Sequence, residues 1–147
     1  MRHSFLLDEN MIYHAVRGVD RHNNQDDTAA RLIQTIVTVC HYFVIHDIVR
    51  VRYIRIFEKL KRERAPHLPP AFLLKQILMR ADKRIFQYDD LPTLPAECNV
   101  PRKDEYLVQA ALLSLPLLVT ADEPLYKSIK DNPELGIEVL WPHEALE

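Results

Sequence analysis

Glycine is scarce in this chain, with only Gly18 and Gly136 among 147 residues. Neither glycine lies in a glycine-rich turn, so the sequence contains no ATPase-type phosphate-binding loop and no G-x-G-x-x-G dinucleotide motif. Serine is also rare, and none of Ser4, Ser114 and Ser128 stands in a G-x-S-x-G context. The nucleophile elbow of the α/β-hydrolases is therefore excluded as well.

Cysteine and long apolar runs are equally limited. Cys40 and Cys98 lie 58 positions apart, which excludes a paired metal-binding knuckle and a redox C-x-x-C motif. We expect both to be buried thiols in a reducing compartment. No apolar run approaches the roughly 20 residues of a membrane span, and the stretch Phe5 to Leu7 is too short for a secretory signal. The expected location is cytoplasmic, without a membrane partner.

The composition, with 48% hydrophobic and 27% charged residues, is that of a globular protein and predicts a single domain over residues 1–147. The net charge of −2 conceals a strong local imbalance. Acidic pairs occur at residues 8–9, 26–27, 89–90 and 122–123, whereas a basic cluster contains Arg50, Arg52, Arg55, Lys59, Lys61, Arg62 and Arg64. A basic helix beside acidic loops is therefore expected.

Apolar runs alternate with helical periodicity along the chain, a pattern typical of an α/β fold. Five strands are predicted, at Ser4–Leu7, Tyr42–His46, Arg84–Tyr88, Leu117–Thr120 and Ile137–Leu140. Six helices are predicted, at Met11–Val16, Ala29–Cys40 with Thr28 as N-cap, Asp47–Arg64 with Asp47 as N-cap, Ala71–Ala81, Lys103–Ser114 and Glu123–Lys130, followed by a tail, Trp141–Glu147. The expected architecture is a three-layer α/β/α domain with a mainly parallel sheet of about four to five strands.

Three aspartates are predicted to meet at one edge of this sheet. Asp8 and Asp122 follow the first and fourth strands, and ligands bind at the carboxyl ends of parallel strands. Asp104 shares a helical face with apolar residues and is expected to lean toward the packed side. Such carboxylates repel one another unless a cation lies among them, and an all-oxygen site suits Mg²⁺ or Mn²⁺. Helix capping is the alternative role for each residue taken singly.

Two segments resemble the PIN domain family. FLLDENMIYHA (residues 5–15) is similar to the opening strand and helix of that family, and VPRKDEYLVQAALLSLPLLVTADEPLYKSI (residues 100–129) is similar to its closing half. PIN domains are commonly metal-dependent ribonucleases, including toxins of VapBC-type toxin and antitoxin pairs. The resemblance implies that Asp8, Asp104 and Asp122 are catalytic metal ligands, and that Asn10 and Thr120 orient the site.

The chain departs from the family at one acidic position. Many members have a glutamate followed by tyrosine in the helix after the second strand, but here Arg52 precedes Tyr53. An arginine in the crevice would neutralise part of the acidic charge and compete with a metal ion. Asp47, Glu58 or Glu123 are candidates to replace the missing ligand, Asp47 being the better placed of the first two. The alternative function is a catalytically impaired PIN-like module that binds RNA or protein.

Basic side chains recur along one face of the third predicted helix, at Arg52, Arg55, Lys59 and Arg62. This spacing suits contact with an RNA backbone, and a solvated helix face is the simpler alternative. RNA is the expected partner, and the resemblance adds an antitoxin protein and a homodimer. A phosphoacceptor receiver-like domain is a third hypothesis, but its central aspartate and late lysine have no convincing counterparts. A histidine-based zinc site is not expected, because His41 and His46 would point to opposite faces of a strand.

Overall fold

The computed structural model describes residues 2–39, 41–62, 66–80, 82–95 and 98–146. Its strands are β1 (Ser4–Leu7), β2 (Tyr42–His46), β3 (Arg84–Gln87), β4 (Leu117–Val119) and β5 (Val139–Leu140). All neighbouring strands pair in parallel, and their order in the five-stranded sheet is β3-β2-β1-β4-β5. Strand β1 is therefore central, with Phe5 in register with Phe43 of β2 and Leu117 of β4.

Seven α-helices are formed by the described residues: α1 (Glu9–Arg17), α2 (Thr28–Thr38), α3 (Asp47–Leu60), α4 (Pro70–Leu74), α5 (Glu105–Ser114), α6 (Glu123–Lys130) and α7 (Pro142–Ala145). A π-helical turn, Lys75–Met79, continues α4, and short 3₁₀ turns cover Arg102–Asp104 and Pro133–Leu135. None of the helices in the described ranges is long and apolar enough to cross a membrane. The predicted α/β fold with a parallel sheet is confirmed.

The central strands are covered on both faces. Successive side chains of a strand point to opposite faces, yet Leu6 and Leu7 of β1 are both fully buried, as are Val44 and Ile45 of β2. Both sides of the sheet must therefore carry helices, which is the three-layer arrangement predicted for uninterrupted apolar strands.

The apolar face of helix α3 packs against one end of the sheet. Tyr53, Phe57 and Leu60 are buried, as their spacing predicts. The Tyr53 hydroxyl donates a hydrogen bond to the carbonyl oxygen of Leu7, the last residue of β1. This bond satisfies a buried main-chain acceptor immediately before Asp8, and thereby fixes the end of the strand that presents the carboxylate.

Both predicted N-caps are wrong. Asp47 is the first residue of α3, and the cap is His46, whose Nδ1 accepts a hydrogen bond of 3.2 Å from the Ile48 amide. Thr28 is likewise the first residue of α2, and its amide donates to Asp26 Oδ1 at 2.8 Å. In both cases a neighbouring side chain satisfies the first turn, because any acceptor with the right reach can take its free N–H groups.

Helix α2 ends at Thr38, earlier than predicted, because a buried lysine takes up its last carbonyl groups. The ammonium of Lys83, a residue only 8% exposed, donates to the carbonyl oxygen of Ile36 at 3.2 Å and also to that of Val39. A cation at this helix end is electrostatically favourable. A lysine distant in sequence thus decides where the helix stops.

Other boundaries differ from prediction as well. Helix α3 ends at Leu60, while residues 63–64, 81 and Cys40 of the predicted helices lie outside the described residues. The predicted tail contains α7, β5 is shorter than expected, and the helix predicted from Lys103 begins as a 3₁₀ turn. Cys98 packs against the core but is only half-buried, so the expectation of full burial is wrong for this thiol.

Candidate active site

Asp8 is held in a buried position directly after β1. The residue is 2% exposed, and its amide donates to the Val119 carbonyl oxygen at 3.0 Å, which locks its backbone to β4. The Thr120 hydroxyl donates to Asp8 Oδ2 at 2.8 Å, and the nearby main-chain amide of Asn10 also lowers the pKa of this carboxyl. Burial nevertheless raises the pKa of Asp8 to about 6, with a further contribution from the charge of Asp104. The ionised form is therefore short of compensating charge.

Thr120 joins two of the predicted acidic positions. Its side chain is fully buried, and its Oγ1 both donates to Asp8 and accepts a hydrogen bond of 3.0 Å from the Asp122 amide. One hydroxyl thus sets the position of the Asp8 carboxylate relative to the turn after β4. This geometry gives a physical reason for a threonine two residues before the aspartate.

Asp104 is the last residue of the 3₁₀ turn before α5. The sequence predicts that its side chain leans toward the packed side. The residue is only 7% exposed, and within the described part of the chain its Oδ2 is buried without a hydrogen-bond partner. Burial is the main reason that its pKa is raised to about 6, and the charge of Asp122 is the second. A carboxylate oxygen without a donor in a buried site is costly unless something else binds it.

Asp122 caps α6 and also carries an ion pair. Its Oδ1 accepts from the Leu125 amide at 3.1 Å, so the capping role considered for this residue is real. Its Oδ2 lies 3.2 Å from the ammonium of Lys103, and its side chain is only 9% exposed. The pKa of Lys103 is raised by this contact. Capping and membership of the acidic site are therefore compatible, since they use different oxygens.

The charges of the three predicted aspartates influence one another. The charge of Asp104 raises the pKa of Asp8, and the charge of Asp122 raises the pKa of Asp104. Among the side chains that the structure describes, no three of His, Cys, Asp or Glu are gathered closely enough to hold a metal ion as they stand. Lys103 occupies one carboxylate of the group. The donor chemistry, three carboxylates with one unpartnered buried oxygen, fits a hard divalent cation.

Arg52 stands at the border of this acidic site. Its guanidinium lies 4.0 Å from Glu9 Oε1 and 4.3 Å from the ring centre of Tyr106. Its positive charge offsets part of the rise in the pKa of Asp104. The sequence predicts a cation here but not the roles of Glu9, Tyr106 and Lys103. For Glu9 and Lys103 the only sequence signal is adjacency, since Glu9 follows Asp8 and Lys103 precedes Asp104.

The other predicted ligands and orienting residues have different surroundings. Each acidic substitute considered for the missing glutamate pairs with a basic residue of its own helix: Asp47 with Arg50 at 2.9 Å, Glu58 with Lys61 at 2.7 Å and Glu123 with Lys127 at 3.0 Å. Asn10 is exposed and reaches Asp8 through its main-chain amide. The rest of the predicted basic face, Arg55, Lys59 and Arg62, is exposed.

The fold and the site together define a class of protein: an all-parallel α/β domain with a buried acidic site where its central strands end. No protein-family model and no curated protein matches the chain. A PilT N-terminus domain protein from the hyperthermophilic archaeon Sulfolobus solfataricus P2 has a similar structure. It shares 14% identity with this chain at a TM-score of 0.49, over 97% of this chain and 90% of that one. A likeness of this strength assigns no function.

Proposed function

We propose that this chain is a metal-dependent endoribonuclease of the PIN type. The observation that carries the proposal is the buried acidic site formed by Asp8, Asp104 and Asp122, in which one oxygen of Asp104 has no partner among the described residues. Two of these carboxyl groups have pKa values raised to about 6, so much of their charge is uncompensated at neutral pH. A bound divalent cation would supply that compensation.

Asp8, Asp104 and Asp122 are the residues that would hold Mg²⁺ or Mn²⁺. When bound, such an ion supplies activation of water at neutral pH and stabilisation of charge on a phosphodiester. The protein supplies the positioning. Thr120 holds Asp8 in one orientation, and the capping bond to Leu125 holds Asp122 in another.

Two basic side chains at the same site suit a phosphate substrate. Lys103 is 70% exposed along its side chain while its ammonium contacts Asp122, so it is free to turn toward a phosphate when a metal ion takes over that carboxylate. Arg52, resting on Tyr106, presents a second positive group. The exposed residues Arg55 and Lys59 continue this charge along α3, where an RNA backbone would gain from it. The toxin role, an antitoxin partner and a homodimer stay predictions from the resemblance.

The proposal is tested by incubating the purified chain with several single-stranded RNAs of mixed sequence. We expect cleavage with Mn²⁺ or Mg²⁺ and none with EDTA. Calorimetric titration with Mn²⁺ in the absence of RNA measures metal binding separately. If Mn²⁺ binds but every RNA stays intact, the ribonuclease proposal is wrong and the binding-module alternative replaces it.

That alternative, a PIN-like module without cleavage, is favoured by one specific observation. Lys103 and Arg52 already place two positive charges against the acidic site, with Lys103 Nζ 3.2 Å from Asp122 and the Arg52 charge acting on Asp104. The positive side chains of Lys103 and Arg52 can take the place of a metal ion. The resulting surface would bind RNA or protein without hydrolysing it.

Replacing Arg52 by glutamate is expected to raise the affinity for Mn²⁺ about tenfold. The change removes a positive charge and adds a negative one beside Asp104, and one such charge interaction near a protein surface amounts to roughly 1 to 4 kcal/mol before solvent screening. Calorimetric titration of wild type and variant measures the difference. Arg55→Glu is the matched control, because it makes the same charge change on an exposed part of α3. Equal effects in both variants would show that Arg52 has no particular relation to the site.

A further inference from the structure

A cavity of about 290 Å³ lies beside the acidic site. Its walls come from α1, the loop that follows α1, and the segments after β4 and β5, and include His14, Arg21, His22, Ala121, Trp141 and His143. Ala121 stands between Thr120 and Asp122, so the cavity reaches the turn that carries two residues of the acidic site. We call this cavity the Trp141 pocket.

Flat groups dominate one side of the Trp141 pocket. The indole of Trp141 stacks on the ring of Tyr126, with ring centres 4.2 Å apart and planes inclined by 16°. The Arg21 guanidinium lies 4.6 Å from the centre of the Trp141 ring, and since Tyr126 occupies one face, Arg21 covers the other. Besides this contact, the described residues hold Arg21 by a 3.9 Å ion pair with Glu123 and a hydrogen bond to His22, and its side chain is 38% exposed. It can therefore slide aside or present its own plane to a flat ligand.

One oxygen of each acidic group in the pocket accepts main-chain hydrogen bonds. Asp20 Oδ1 accepts from the amides of His22 and Asn24, both at 2.9 Å. Asp26 Oδ1 accepts from the Thr28 amide at 2.8 Å. The negative charge of these carboxylates disfavours an anionic group inside the pocket. The groups that remain are imidazole rings, among them His14, whose pKa is lowered by burial. The His14 ring, which burial disfavours in its charged form, and the flat surfaces suit a neutral aromatic ligand with hydrogen-bonding edges.

We propose that the Trp141 pocket binds one unpaired base of a single-stranded RNA whose backbone runs past Asp122. Placement of the backbone rests on the proposed ribonuclease function, but binding of a base does not need catalysis. Stacking of a base on the outer plane of the Arg21 guanidinium, whose inner plane lies over Trp141, follows the general mode by which proteins recognise single-stranded RNA. A cavity of 290 Å³ is at the lower limit of small-ligand pockets, so it suits a single base and excludes a stacked duplex.

Trp141 is the only tryptophan of the chain, so its fluorescence reports on the pocket directly. The experiment titrates the full chain in EDTA with a single-stranded RNA of about ten nucleotides, with the same sequence as a duplex, and with the four ribonucleoside monophosphates. We expect the single strand to change the Trp141 emission at lower concentration than the duplex. Arg21→Ala should weaken the binding of labelled single strand about tenfold, since stacking on one flat side chain is typically worth that much.

Arg2→Ala is the matched control, because Arg2 is also an exposed arginine over an aromatic ring, 5.7 Å from that of Tyr42, but at the opposite end of the strands. It should bind RNA as the wild type does. Binding that is lost equally in both variants, or a Trp141 emission that no RNA or nucleotide changes, would overturn the pocket proposal even if metal-dependent cleavage occurs. Arg21-dependent binding without any cleavage would support the pocket while refuting the ribonuclease. The two proposals therefore fail separately.

Discussion

Replacing Asp8 by asparagine is expected to reduce metal-dependent RNA cleavage by more than about a hundredfold. Mutation of a residue that only hydrogen-bonds a metal ligand commonly lowers metal affinity or activity 10- to 100-fold. Asp8 is proposed as a ligand itself, so its replacement should cost more. Asparagine keeps the size of the side chain, and its Oδ1 can still accept from the Thr120 hydroxyl, so the fold around Thr120 should persist. Initial rates of cleavage of a labelled single-stranded RNA, measured at saturating Mn²⁺, give the ratio directly.

Asp90→Asn serves as the control for this substitution, because Asp90 is exposed and lies in the loop after β3, away from the acidic site. Its cleavage rate should equal that of the wild type. Cleavage that persists unchanged in the Asp8 variant would show either that a contaminating nuclease is present or that the acidic site is not the catalytic one. Ion-exchange chromatography distinguishes these outcomes, since a contaminating nuclease would elute apart from the protein peak, whereas activity of the chain at another site would elute with it.

The strands and the location of the site could be predicted because both depend on local pattern and parallel topology. β1 and β2 were predicted at their observed bounds, since each is an uninterrupted apolar run ended by a polar residue. Parallel strands bring their carboxyl ends to one edge, so Asp8 and Asp122 were placed at the same edge of the sheet without any knowledge of the packing.

The cations of the site could not be predicted in the same way. Lys103 reaches Asp122 from a 3₁₀ turn that precedes α5, where the sequence predicts the first turn of a regular helix. Arg52 rests on Tyr106 only because α3 packs against α5, a contact between segments about fifty residues apart. The Trp141 pocket exists because the predicted tail folds back as α7. Each depends on tertiary packing that no periodicity reports.

Activity and stability are expected to oppose each other at Asp8. The carboxylate that would bind a metal is buried at 2% exposure beside Asp104, so its charge destabilises the metal-free protein. Natural active sites commonly carry such a destabilising arrangement, and removing it raises stability at the expense of function. The pH dependence of unfolding measures this effect without any substrate.

In EDTA, the stability of the wild type relative to Asp8→Asn is expected to fall as the pH rises. The pKa of Asp8 is raised from 3.8 to about 6 in the folded chain, so the unfolded chain releases its proton first. The contribution of Asp8 to the unfolding free energy is therefore fully present below pH 3.8 and is lost as the pH rises through about 6. The whole change corresponds to about 3 kcal/mol of unfolding free energy. Urea unfolding of both proteins between pH 4.5 and about 8 measures the difference.

The comparison isolates Asp8, because exposed acids whose pKa values are lowered, such as Asp82 and Glu123, are present in both proteins and cancel. Asp90→Asn should show no such pH-dependent difference from the wild type. Saturating Mn²⁺ at pH 8 should restore the stability of the wild type and do much less for Asp8→Asn, since ligand binding to the folded state adds to the unfolding free energy. A difference curve that is flat with pH would mean that the Asp8 charge is already compensated inside the protein, by Lys103 or Arg52. It would then remove the electrostatic reason for a metal ion at this site.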